Sequence, residues 1–236
     1  MNKTLQTFRY LSKSFMGLTF MGFLVILGNV AIVDLVFFLT NRYNPVQQVV
    51  PLTGPFEVTD GIVIFLVSLI PFIPNLKIAV ANGVSRKTFL LANLPVAAIM
   101  AGALSIFNLA VVRVHDLFWP IIFLSDLFYP QNSWAGVLVL QFALYFLLIA
   151  AGWCVTLAYY RSRVPLKWVI SLAPLGLYAL LRVANALSGG DTFQSIGAYL
   201  RFSLGSPLRA TLSMLAYAVV LCGVVYLLIR RAPVPD

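Results

Sequence analysis

The sequence predicts an all-α, polytopic membrane protein, and three observations carry that prediction. Of its 236 residues, 61% are hydrophobic and 10% are charged, whereas a soluble domain carries about 25% charged residues. Apolar runs of about 20 residues, the length a helix needs to cross a ~30 Å hydrocarbon core, recur along the chain. The basic residues lie in short clusters between these runs instead of on a polar domain. Disordered, collagen-like and disulfide-scaffold classes are excluded, because large apolar residues abound, glycine has no period, and there are two cysteines. Cys154 and Cys222 both fall within apolar runs and read as small packed hydrophobes. The net charge of +9 is not gathered on any polar domain, so it reports orientation and gives no reason to expect nucleic acid as a partner.

Taken in order, residues 1–14 form a basic leader, and spans are expected at about 15–39, 61–80, 89–112, 134–159, 168–187 and 210–229, all in one transmembrane domain. The first run is too long for a signal-peptide core and lacks a small-residue cleavage site, so it reads as a retained span. Lys3, Arg9, Lys13, Lys77, Arg86, Lys87, Arg161, Arg163, Lys167, Arg230 and Arg231 then share one side of the membrane. The other side has Arg42, Arg113, Arg201 and Arg209, and Arg182 lies within the fifth span. The positive-inside tendency places both termini in the cytoplasm. Glu57, Asp60, Asp116, Asp126 and Asp191 are expected outside, in agreement with that orientation.

The cytoplasmic connections 81–88 and 160–167 are about eight residues each, and no GxxxxGK[ST] phosphate loop occurs anywhere in the chain. ATP-dependent work would therefore belong to a partner chain. In the leader, Leu5, Phe8 and Phe15 can share one helical face while Gln6, Arg9 and Lys13 mark another. This suits an interfacial helix at the membrane surface, or a leader that only fixes orientation. In the loop 81–88, Asn82-Gly83 signals a turn, Ser85 can cap the following helix, and Arg86 and Lys87 face the cytosol. Such a loop is either a compact knob that transmits motion to two membrane helices or a tight turn bearing two orienting cations.

The run from Asn82 to Phe89, with its "GVSRKTF" core between the second and third of six spans, resembles small bacterial permease subunits of the ABC-2 type. The order of elements is similar too: basic amphipathic leader, six spans, and a helical excursion before the last. The resemblance implies a non-catalytic subunit of an ATP-driven exporter in the bacterial cytoplasmic membrane. It further implies a homodimer or heterodimer of permeases, driven by a cytosolic ATPase subunit that binds ATP and Mg. This chain itself would need no cofactor. Val84, Ser85, Arg86, Lys87 and Thr88 become ATPase-docking residues of a coupling loop, with Phe8, Arg9 and Lys13 as elbow contacts.

Within 188–209, Phe193, Ile196, Leu200 and Leu204 recur at helical spacing, and Gly205-Ser206-Pro207 breaks that helix and starts the next. The excursion is re-entrant, as in the family, or lies flat at the interface. Loop 113–133 is rich in aromatics, including Phe118, Trp119, Phe123, Phe128 and Tyr129, and suits a lipid-surface anchor. Its His115 is the only histidine, which argues against multi-histidine metal sites and Ser/His hydrolysis.

Asp34 and Arg182 lie about five residues from the outer ends of the first and fifth spans. Their similar depth permits an ion pair within or between subunits, a polar pathway lining, or snorkelling to the interface. A stand-alone secondary transporter using these two charges is the alternative to the ATP-driven reading. Asn29 can bond across helices or face a pathway, Pro71 and Pro74 should distort the second span, and Ala97/Ala101 and Ala98/Gly102 offer small-xxx-small contacts in the third.

Overall fold

In the computed structural model the described residues are 3–43, 55–116, 129, 133–188, 191–230 and 232, and no strand occurs among them. The elements are α1 (Lys3–Tyr43), α2 (Pro55–Leu69), α3 (Phe72–Ala81), α4 (Arg86–Asp116), α5 (Trp134–Arg161), α6 (Val164–Leu187), α7 (Asp191–Ser203) and α8 (Pro207–Arg230). Five stretches are long and apolar enough to cross a membrane: Thr4–Ile32, Asp60–Ala81, Arg86–Val114, Trp134–Arg161 and Pro207–Arg230. A sixth is added if Val164–Leu172 and Leu175–Leu187, bent by 55° between them, form one broken span. The described residues thus form an all-helical membrane protein with five or six membrane-length helices among them. The run 117–128, with Phe118, Trp119, Phe123 and Phe128 of the expected anchor, lies outside the described residues, whereas Tyr129 is described.

Local sequence chemistry accounts for the breaks. Pro71 stands at the N-cap of α3 with helical dihedrals and supplies no N–H, so the α2–α3 span is interrupted at Ile70–Pro71. Pro74 continues inside α3. Pro174 occupies the bend of α6. The Ser133 hydroxyl accepts the Gly136 N–H at 3.2 Å and caps α5, while Ser206 Oγ accepts the Arg209 N–H at 3.3 Å ahead of α8.

The leader is not a separate element. Helix α1 runs for 41 residues without a break near residue 14, because no proline interrupts it and one buried stripe continues from leader to span. Thr7, Leu11, Phe15, Gly22 and Ile26 form that stripe at helical spacing, while Leu5 is exposed. The buried face of the leader is therefore Thr7/Leu11/Phe15, one position away from the expected Leu5/Phe8/Phe15 face. Ser14 Oγ accepts a 3.2 Å hydrogen bond from Asn75 Nδ2 and fastens α1 to α3.

Helix α5 is the hub, packed against α2, α4 and α8, and α1 packs mainly against α4. Small residues allow these approaches. At Gly152 of α5 an added Cβ would collide with the Ser68 hydroxyl and lie 3.2 Å from the Phe65 carbonyl oxygen of α2. Ala97 and Ala101 are buried as the small-residue spacing anticipated. Phe72 joins α3 to α4 and α5, its ring centroid 5.4 Å from Phe89 and 5.1 Å from Trp153.

Candidate functional site: the basic end of the helix bundle

The turn between α3 and α4 is fixed by its backbone. Gly83 takes φ +71°, a left-handed conformation that glycine adopts without a Cβ penalty. Gly83 N–H donates to Val80 O and Val84 N–H to Ala79 O, both at 2.9 Å, which together make a Schellman closure of α3. Asn82 Nδ2 adds a 2.7 Å bond to Ile78 O. Ser85 then caps α4: its hydroxyl accepts the Thr88 N–H at 3.1 Å and lies 2.8 Å from Thr88 Oγ1. The four residues 82–85 leave no room for a separate coupling helix, so the exposed element is a rigid turn followed by the first turn of α4.

The structure brings this turn to the leader. Gln6, Thr7 and Tyr10 of α1 line a cavity of about 270 Å³ together with Ile78, Ala79, Asn82 and Val84. Phe8 and Val84 are both partly buried against the hydrophobic core, whereas Arg9, Lys13, Ser85 and Lys87 are exposed. The leader and the turn thus meet at this cavity, and of the docking and elbow residues singled out in the sequence Val84 alone lines it.

The last helix ends at the same place. Arg86 Nη1 donates to Arg230 O at 2.8 Å, and Arg161 Nη1 to Leu228 O at 3.3 Å. Two cations so occupy the carbonyl end of α8, where the helix dipole favours positive charge. Arg86 is half-buried in this role, so the two cations of the turn differ: Arg86 binds within the chain and Lys87 projects from it. Lys77 lies over the Tyr160 ring at 5.4 Å and Lys167 over Tyr159 at 5.0 Å, which draws the α5–α6 connection into the same end. No acidic residue accompanies these cations among the described residues, since the acids of the chain are Asp34, Glu57, Asp60, Asp116, Asp126, Asp191 and Asp236.

The opposite end is organised by aromatics. The Arg113 guanidinium lies over the Trp134 ring, and Tyr129 OH donates to Leu204 O at 2.6 Å. Burial pushes the Tyr129 phenol up, while the hydroxyl bond with Tyr217 lowers that of Tyr199. Helix α7 stands in the expected excursion and ends before Gly205.

Of the intramembrane polar residues, Asn29 and Asp34 belong to α1, but their side chains lie outside the described residues. Arg182 is exposed on α6, 5.8 Å over the Tyr178 ring of its own helix. Two interior groups escaped the sequence reading. Asp60, expected outside, is 1% exposed at the start of a membrane-length stretch. Asn108 of α4 donates a buried 2.7 Å bond to Tyr145 OH of α5. The signal for Asn108 was an amide inside an apolar run, shared with Asn93; nothing in sequence gave its partner.

The fold and this end define a class, a helical membrane protein with a basic face that carries no acid among the described residues. Comparison with known proteins goes no further: no family model matches the chain, and no curated protein or solved structure matches it either.

Proposed function

We propose that the chain is the membrane-spanning permease subunit of an ATP-driven exporter of the ABC-2 type, with its basic end in the cytoplasm of a bacterial cell. The observation that carries this reading is the convergence of the leader, the capped turn 82–85 and the end of α8 at one end of the bundle. A surface that transmits force must be stiff and tied to several spans. This one is joined to α1, α3, α4, α5 and α8.

In this mechanism a cytosolic ATPase subunit, carrying ATP and Mg, docks on Val84, Ser85, Lys87 and Thr88 and on Phe8, Arg9 and Lys13. Arg86 transfers the displacement to α8 through its bond to Arg230 O. Closure of the ATPase dimer tilts α4 and α8 together and alternates access to the pathway. The apolar, weakly packed α6 supplies the contact between two permease subunits, alike or different.

The test is co-purification of the full chain with the ATP-binding subunit expressed beside it. Replacement of Lys87 and Arg9 by Glu is expected to reduce recovery of that subunit at least tenfold while the thermal midpoint of the permease stays within about 2 °C. Full transport activity in membranes containing no ATP-binding partner would refute the proposal.

A further inference from the structure

A second cavity of about 270 Å³ lies on the flank of the bundle between α1 and α4, lined by Ser12, Met16, Thr19, Val96, Ile99 and Ala103 among others. Its rim faces outward: Met16 is 66% and Ile99 60% exposed. The groove is almost wholly apolar, with Ser12 and Thr19 supplying its hydroxyls. Thr19 Oγ1 is committed to Phe15 O at 2.9 Å. Ser12 Oγ is shielded from solvent and has no hydrogen-bond partner, a state that costs free energy unless a ligand oxygen completes it.

Arg9 and Lys13 are exposed on α1 and flank the groove-lining Ser12 in sequence. At 100° per residue, Arg9, Ser12, Lys13, Met16 and Thr19 fall within about a third of the circumference of α1. The rise from Lys13 to Thr19 is about 9 Å. Along the helix the order is therefore Arg9, the unsatisfied Ser12 hydroxyl, Lys13, then the apolar groove. No carboxylate lies at this end of the described chain to neutralise the cations.

We infer that this is a binding site for one anionic phospholipid of the leaflet that meets the basic end. Arg9 and Lys13 hold the phosphate, Ser12 Oγ between them donates to one of its oxygens, and one acyl chain lies between α1 and α4 against Met16, Val96, Ile99 and Ala103. The series matches a phospholipid in sequence and in scale. A soluble phosphate would leave the groove empty, and a neutral lipid would leave the cations unanswered. The site requires a membrane protein with this end at the lipid surface; Arg9 and Lys13 are also proposed contacts of the ATP-binding subunit, so the groove variants, away from those cations, separate the two readings.

The experiment is native mass spectrometry of the purified full chain in detergent, supplied with equal amounts of phosphatidylglycerol and phosphatidylcholine. Wild-type protein is expected to retain phosphatidylglycerol at least tenfold better. Arg9→Gln or Lys13→Gln should each lower that preference about fivefold, the size of one cation at an anionic surface. Ala103→Phe, which fills the groove away from the cations, should reduce retention of both lipids while leaving recovery of an ATP-binding subunit unchanged. Ile99→Trp provides a second, rim-blocking variant should Ala103→Phe fold poorly. Excess glycerol phosphate should not compete. Equal retention of the two lipids by the wild type, displacement by glycerol phosphate, or undiminished retention in both groove variants would overturn the inference.

Discussion

Helices α5 and α6 follow one another in the chain, both apolar and of membrane length, yet α5 is surrounded by α2, α4 and α8 whereas α6 makes only small contacts with α5 and α7. Hydrophobicity alone does not distinguish them. The difference is in side-chain size and in polar partners. Helix α5 turns Gly152, Ala143 and Ala150 inward beside Trp153 and Tyr145, and it receives bonds from neighbouring helices. Helix α6 presents Trp168, Leu175, Leu180 and Leu187 outward, each more than 60% exposed. Within a membrane, apolar surface gains little by leaving lipid, so association depends on close packing and interhelical hydrogen bonds. One helix has the means for both within this chain, and the other is left for lipid or a second subunit.

The largest contrast is expected at two tryptophans. Trp153→Ala removes a buried ring from contact with Phe72 and should cost about 3 to 5 kcal/mol in detergent unfolding titrations. Trp168→Ala, at a position 67% exposed, should stay within about 0.5 kcal/mol. Equal losses would mean that α6 is packed as tightly as α5 and would end the comparison.

Two glycines should respond with opposite signs. Gly152→Ala forces a methyl into Ser68 and the Phe65 carbonyl and is expected to destabilise by about 1 to 3 kcal/mol. Gly176→Ala meets nothing within 4 Å and should stabilise by up to about 1 kcal/mol through helix propensity. Thermal unfolding of the two variants side by side checks both signs, and a neutral Gly152→Ala would show that α2 and α5 can separate at little cost.

The interhelical bond of Asn108 to Tyr145 sharpens the comparison further. A double-mutant cycle with Asn108→Leu and Tyr145→Phe should give a coupling of about 0.6 to 1.7 kcal/mol, the range of buried polar pairs between membrane helices. On α6, Asn185 Oδ1 accepts the Phe193 N–H at 2.9 Å across the exposed junction to α7, where water can substitute. Asn185→Ala should cost less than the Asn108 replacement.

These contrasts also mark what the sequence revealed. Apolar run length gave the helices, and Asn82-Gly83 with Ser85 gave the turn at the basic end, because glycine conformation and serine capping are local chemistry. Pro71 likewise placed the break of the second span. The continuity of α1 was obscured because basic residues in the leader resemble a boundary, while the Thr7/Leu11/Phe15 stripe becomes visible only against α3 and α4. Asp60 was assigned to the outer side by the order of spans, which says nothing of burial; its burial is a property of the surrounding helices. The bonds of Arg86 and Arg161 to α8 span 144 and 67 residues of sequence, and no local pattern encodes such distances.

The smallest effect tests whether the order of the α5 side extends to the basic end. Arg86→Gln removes a charged donor from the carbonyl end of α8 and should cost about 0.3 to 1 kcal/mol, less at high salt. Lys87→Gln, one position on and exposed, should leave unfolding unchanged in both salt conditions. If both substitutions are silent, the Arg86 bond contributes nothing net against water and α8 is held by its packing on α5 and α4 and by the Arg161 bond. If Arg86→Gln is destabilising and Lys87→Gln is not, the two adjacent cations have separate physical roles: one ties the turn to the last helix, and the other is free to meet a partner.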